Sequence, residues 1–126
     1  MVNDSAPTVV LVDDSPAARA MFELSVAPLK LNLLSFPSAV AAMEYLSKKQ
    51  PGLLVLDILM PEKDGLTFLA ELRTSPLHGD TPVVIISSKD YAQDRRMATE
   101  LGVLDFVTKP IGTQAIQDLV RRHLQT

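Results

Sequence analysis

Five short apolar runs, at residues 8–12, 31–36, 53–56, 82–87 and 104–107, recur along a 126-residue chain and constrain its fold more than any other feature. They are rich in Val, Leu and Ile, and none alternates cleanly between apolar and polar positions. A half-exposed strand would alternate, so these runs predict strands covered on both faces, as in a parallel sheet. The stretches between them are long enough for the helical crossovers that parallel strands require. A β-α unit repeated five times predicts a doubly wound α/β domain, with a five-stranded parallel sheet in the order 2-1-3-4-5, helices on both faces and no internal linker.

Each intervening stretch carries helix punctuation. Pro16 opens the first beside Ser15, with Ala17, Met21, Phe22 and Leu24 available for a packed face and Pro28 near its end. Ser38 is placed to cap the second, where Ala39, Ala42, Met43 and Leu46 recur at helical spacing before Pro51 and Gly52 stop it. Leu66, Leu69 and Leu72 mark a third helix over 66–73. The fourth, over 91–101, is more polar and ends at Gly102 in a C-cap position. In the fifth, over 113–124, Ile116, Leu119, Val120 and Leu124 share one stripe.

A chain of this length makes one domain, able to bury roughly two-thirds of its unfolded surface. Residues 1–7, polar with a proline, are expected to form a flexible leader, and 8–126 the folded domain. A hydrophobic content of 47% with 21% charged residues argues for a globular chain over a disordered one. The net charge of −3 gives no basic footprint, so direct nucleic-acid binding is not expected. Without cysteine there is no disulfide framework and no thiolate metal site. No apolar run approaches the roughly 18 residues of a membrane span, and the start lacks a signal pattern. Neither membrane insertion nor export is expected, which leaves a cytoplasmic location.

The chemistry gathers where strands end. Asp57 closes the run at 53–56 and is followed by Met60-Pro61 and Asp64-Gly65, while Asp13 and Asp14 close the first strand. In a parallel sheet all carboxyl ends lie on one edge, so these three acids converge if strands one and three are neighbours. A lone aspartate after a strand often only solvates a loop, but an adjacent pair with a third acid at another strand end is a rarer pattern. Three carboxylates repel one another unless a cation neutralises them. Mg²⁺ suits such a site, because it takes a few carboxylates together with waters and phosphate oxygens. A transferring phosphoryl group needs that neutralisation. Asp64, before Gly65, is expected to make a turn or cap the third helix instead of joining the cluster.

Lys109 follows the fifth strand and precedes Pro110. It reads either as a surface charge or as a compact point charge that pairs with Asp57 and later with a phosphoryl oxygen. Only ~5% of X-Pro bonds in folded proteins are cis, and the sequence leaves this isomer open. Ser87 and Ser88 end the fourth strand, where a hydroxyl can donate to an added phosphoryl oxygen or simply cap the loop. His78 and His123 lack companions for a transition-metal site and are expected at the surface or in caps. Tyr91 is either a docking aromatic or a packing residue at a helix start. Arg95 with Arg96, and Arg121 with Arg122, read as solvated charge that could contribute to a partner interface, the second pair also suiting a helix dipole. Met21 and Met43 read as core gap-fillers.

Taken together, Asp13, Asp14, Asp57, Ser87 and Lys109 resemble the signature of the receiver domain of bacterial two-component response regulators, of the standalone CheY-like kind, and the likeness covers nearly the whole chain from Thr8 to Leu124. It implies the flavodoxin-like receiver fold, with Asp57 as phosphoacceptor and Mg²⁺ held by Asp13, Asp14, Asp57 and the backbone carbonyl of Leu59. It further implies Ser87 as the switch hydroxyl, Lys109 as the invariant lysine and Phe106 at the place of the switch aromatic. The implied partners are a histidine kinase or histidine phosphotransfer protein as donor, and a downstream protein docking on helix four, strand five and helix five. The implied activity is self-phosphorylation from a phosphohistidine with Mg²⁺, followed by self-dephosphorylation, and not metabolic turnover. Phe106 lacks a tyrosine hydroxyl, so it either switches by packing alone or is plain core. Leu59 stands where polar residues can position the attacking water, so slow autodephosphorylation is expected. Ser88 follows the switch serine where alanine is frequent, and would modestly narrow access to the acyl phosphate.

Since the chain ends at Thr126, just after the fifth helix, output is expected through protein contacts, without an attached effector, unless the chain is a piece of a longer regulator. Two other functions compete. A phosphorylation-independent binding module would use only the output face, and the intact acids, serine and lysine speak against it. An aspartyl-phosphate phosphohydrolase would place its nucleophile in an acid-x-acid motif after strand one and add a cap, and neither is present here.

Overall fold

The computed structural model describes residues 5–124. Strands β1 (Thr8–Val12), β2 (Asn32–Phe36), β3 (Leu53–Leu56), β4 (Val83–Ser87) and β5 (Asp105–Thr108) alternate with helices α1 (Pro16–Val26), α2 (Ala39–Leu46), α3 (Gly65–Arg73), α4 (Ala92–Glu100) and α5 (Thr113–His123). The five strands form one parallel sheet in the order β2-β1-β3-β4-β5, as the apolar runs predicted. A short 3₁₀ turn at Pro76–His78, which the sequence did not signal, lies between α3 and β4. The expected leader at 1–7 begins with residues 1–4, which lie outside the described residues.

Period-2 geometry divides the apolar strand residues between two faces. Val10, Val12, Leu54, Leu56, Val83 and Ile85 meet α2, α3 and α4 on one side, through Ala42, Leu46, Phe68, Leu69 and Ala98. Val9, Leu11, Leu53, Val55, Val84 and Ile86 meet α1 and α5 on the other, through Phe22, Val26, Ile116, Leu119 and Val120. Every residue of β3 is buried. That explains why its run carries no polar alternation, and each such side chain contributes about 1.5–3 kcal/mol by leaving water.

Helix starts follow the predicted chemistry. The hydroxyls of Ser15 and Ser38 accept from the N–H groups of Ala18 and Ala41, both at 3.1 Å, and Asp64 Oδ1 accepts from Thr67 N–H at 2.9 Å. Asp64 is therefore the cap of α3 and not part of the acid cluster. Gly102, at φ +77°, supplies the left-handed residue just past α4.

The apolar faces of two helices differ from expectation. In α1, Leu24 is 75% exposed and Met21 faces water, while Phe22, Ser25 and Val26 are buried. Met43 of α2 is also exposed beside the buried Ala39, Ala42 and Leu46. Neither methionine fills a gap in the core. In α1 the apolar residues occupy more than one side, and only docking on the sheet selects the buried one.

Candidate functional site

The register of β1 against β3 sets two of the acids side by side. Val12 pairs with Leu56, and the next residue on each strand is an aspartate. Backbone bonds continue the ladder one step further, Asp57 N–H donating to the Val12 carbonyl at 3.0 Å and Asp13 N–H to the Phe36 carbonyl at 3.1 Å. Asp13, Asp14 and Asp57 each offer a carboxylate oxygen, and these oxygens lie within 4.8 Å of one another. Asp13 and Asp57 are buried, at 3% and 5% exposed, whereas Asp14 opens to solvent.

Lys109 reaches the same place from β5. Its backbone N–H donates to the Ser87 carbonyl at 2.8 Å, and the Lys109-Pro110 bond is cis, the isomer the sequence left open. Its ammonium donates to Asp13 Oδ2 at 2.7 Å and lies 3.5 Å from Asp57 Oδ2. The expected partner was Asp57, but the shorter contact is with Asp13, because the edge arrangement places both carboxylates within one ammonium's reach. Burial would lower the Lys109 pKa, but the hydrogen bond to Asp13 and the charge of Asp57 raise it on balance, so the ammonium stays protonated.

Asp57 is the unsettled member. Burial first, and then the Asp13 charge, push its pKa up to about 6, while Lys109 and the Leu59 N–H oppose the rise. That N–H donates to Asp57 Oδ1 at 3.3 Å. Asp13 is held in place from three sides. Its Oδ1 accepts from Ser15 N–H at 2.9 Å, its Oδ2 from Lys109, and its backbone carbonyl from Arg19 Nη1 at 2.7 Å. Gly65 backs the Asp57 main chain so closely that a Cβ would stand 2.0 Å from the Asp57 carbonyl oxygen. The Asp64-Gly65 pair thus has two separate duties, a cap and a close approach.

The cluster fits a hard divalent cation. All three side chains are oxygen donors, Asp14 leaves the site open to water, and one lysine cannot balance three carboxylates. Ser87 and Phe106 lie on the two strands beyond. The Ser87 side chain is buried and its Oγ accepts from Lys89 N–H at 3.2 Å. Phe106 is half-buried against the α2-α3-α4 face, and the Arg95 guanidinium lies 4.6 Å from its ring centroid. The sequence suggests for Arg95 solvated charge or part of a partner interface, and does not signal its contact with Phe106.

His78 is a further correction. It was expected at the surface or in a cap, yet it is 2% exposed, with Nε2 donating to the Leu46 carbonyl at 2.5 Å and Nδ1 bonded to Thr81 Oγ1 at 2.8 Å. It holds the end of α2 to the segment before β4, at the edge opposite the acids. His123 pairs with Asp105 Oδ2 at 3.1 Å and ties α5 to the start of β5. Tyr91 is the exposed N-cap of α4, with Lys89 over its ring.

An open parallel sheet with an acid cluster at its carboxyl edge, beside the strand where the winding order reverses, defines the class of α/β proteins that place their site at a switch point. Within that class, residues 9–121 match the response regulator receiver domain, and the chain belongs to that family. Receiver domains act in two-component signalling with histidine kinases or phosphotransfer proteins. The chain is 36% identical over 111 residues to the cyclic di-GMP phosphodiesterase response regulator RpfG of Xanthomonas campestris, covering 86% of this chain and 29% of that protein. It is 29% identical over 119 residues to the sensor histidine kinase CheAY of Helicobacter pylori, covering 93% of this chain and 15% of that protein. The chain therefore spans less than a third of these curated relatives.

Among solved structures, chemotaxis protein CheY4 of Vibrio cholerae superposes with a TM-score of 0.86 at 18% identity, covering 94% of this chain and 99% of that one. The Mn²⁺-bound response regulator Rcp1 superposes at 0.83 with 26% identity, covering 95% and 96%. The phosphorylated cyanobacterial phytochrome response regulator RcpA superposes at 0.80 with 25% identity, covering 93% and 90%. Among the described residues, no helix is long and apolar enough to cross a membrane.

Proposed function

We infer that residues 8–126 form a phosphorylation-controlled switch whose phosphoacceptor is Asp57. The observation that carries this reading is a buried carboxylate with a raised pKa, set between two further acids and a lysine at one sheet edge. An Asp57 oxygen attacks the phosphorus of a donor phosphohistidine, the phosphorus–nitrogen bond breaks, its electron pair stays on the imidazole, and an acyl phosphate results. Lys109 orients Asp57 in the resting site and is within reach of a phosphoryl oxygen there. Mg²⁺, held by Asp13, Asp14 and Asp57 with the Leu59 carbonyl, would supply the charge neutralisation that the phosphoryl oxygens require. The Mn²⁺-bound and phosphorylated relatives support both parts of this reading.

The added group brings about −1.5 to −2 charges at neutral pH. Ser87 Oγ turns from the Lys89 N–H toward it, Phe106 shifts in its half-buried place, and the α4-β5-α5 face changes for a downstream protein. Attack by water on the phosphorus breaks its bond to the Asp57 oxygen, releases inorganic phosphate and leaves Asp57 as the carboxylate.

Acetyl phosphate with and without Mg²⁺, read by intact mass, tests the reading. A Mg²⁺-dependent gain of about 80 Da in the wild type, absent from Asp57→Ala, is expected for one phosphoryl group. No gain in the wild type under either condition would favour a binding module that works without phosphorylation.

A further inference from the structure

The geometry points to Arg95 as a positioning residue that holds the Phe106 ring in its resting place and ties it to the β4-α4 loop. This rests on the switch reading above and adds to it a mechanical link built from this chain's own side chains. The Arg95 guanidinium has two partners at once. One is the Phe106 ring, 4.6 Å away. The other is the Asp90 carboxylate, which accepts from Nε on one oxygen and from Nη2 at 3.0 Å on the other. The planar fork suits both, since it can meet a carboxylate edge-on while its face lies over an aromatic ring.

Asp90 sits only three residues after Ser87, in the loop whose shape depends on that serine. Lys89 N–H donates to Ser87 Oγ at 3.2 Å, so a hydroxyl that turns to a new phosphoryl oxygen gives up the bond holding the loop. Thr108, the residue opposite Ser87 on β5, also lies against Asp90 and helps Arg95 hold that carboxyl below its ordinary range. Displacement at Ser87 thus passes through Lys89 and Asp90 to Arg95. From Arg95 it reaches Phe106 on the neighbouring strand.

Arg95 and Asp90 are both exposed, so the contact is weak enough to be reversed by one modification. If Arg95 favours the resting arrangement, its removal favours the switched one. The phosphoryl mimic should then bind more tightly, by roughly two- to five-fold for one exposed cation–π contact.

Beryllofluoride with Mg²⁺, an acyl-phosphate mimic, can be titrated into the protein while NMR follows the Arg95 side-chain protons. Lying over the ring, these protons should be shifted upfield at rest and move back downfield on loading. In Arg95→Ala the half-saturating beryllofluoride concentration should fall by that factor, and Arg95→Lys should restore part of the wild-type value. Asp90→Asn should shrink the movement of the Arg95 signal on loading. An Arg95→Ala midpoint equal to wild type, or an upfield shift unchanged in the loaded wild type, would overturn the link while leaving the phosphoacceptor reading intact. A wild type that shows no response to saturating beryllofluoride at Ser87 or Asp57 would overturn both.

Discussion

At the amino edge of the sheet, His78 is buried with both ring nitrogens bonded, and Arg73 nearby donates to the carbonyls of Leu101, His78 and Thr81. At the carboxyl edge, Asp13 and Asp57 are as deeply buried, but three carboxylates gather there and the Lys109 ammonium pairs with only Asp13 and Asp57. A concavity of about 1050 Å³ lies at the amino edge, where Arg73 and Thr81 already bond the chain itself. Polar burial at one edge holds loops together, and at the other it leaves unbalanced negative charge that a divalent cation can offset.

The contrast predicts opposite signs for two substitutions. His78→Ala should cost about 2–4 kcal/mol, because it opens a cavity and strands the Leu46 carbonyl and the Thr81 hydroxyl. The urea midpoint measures this, and the rate of phosphorylation by acetyl phosphate per folded molecule should not change. Asp57→Asn should stabilise the metal-free protein at pH 7, by an amount on the order of 3 kcal/mol.

The sign follows from the direction of the Asp57 shift. A carboxyl whose pKa rises from 3.8 to about 6 on folding binds more protons folded than unfolded between those values. Its contribution to stability therefore falls as pH rises through that window. The gain from Asp57→Asn should be present at pH 7 and gone by about pH 4, as read from urea midpoints across pH. Equal stability of the two proteins at pH 7 would contradict the raised Asp57 pKa. The smallest effect belongs to Leu59, whose backbone N–H bonds Asp57 Oδ1 and whose side chain is exposed. Leu59→Asn should shorten the lifetime of the acyl phosphate by roughly two- to ten-fold through better placement of water, and an unchanged lifetime would count against that role.

Much of the carboxyl edge was legible because its causes are local or topological. Runs such as 53–56 are buried on both faces and therefore carry no alternation, and parallel strands must present Asp13, Asp14 and Asp57 at one edge. The caps at Ser15, Ser38 and Asp64 are local hydrogen bonds, and local sequence signalled them. The amino edge was misread because its partners are nonlocal. Nothing around His78 announces the Leu46 carbonyl, 32 residues away, that satisfies it. The same limit hid the Arg95 contact with Phe106 and the preference of Lys109 for Asp13 over Asp57. In α1, helical spacing offered Met21 and Leu24 as readily as Phe22 and Val26, and only the sheet beneath decided between them.

The most direct test of the central claim is a titration of the Asp57 carboxyl carbon by ¹³C NMR, with and without Mg²⁺. A midpoint near pH 6 in the metal-free protein, moving to lower pH when Mg²⁺ is added, is the predicted result. A midpoint at the ordinary value of 3.8, unmoved by Mg²⁺, would contradict it.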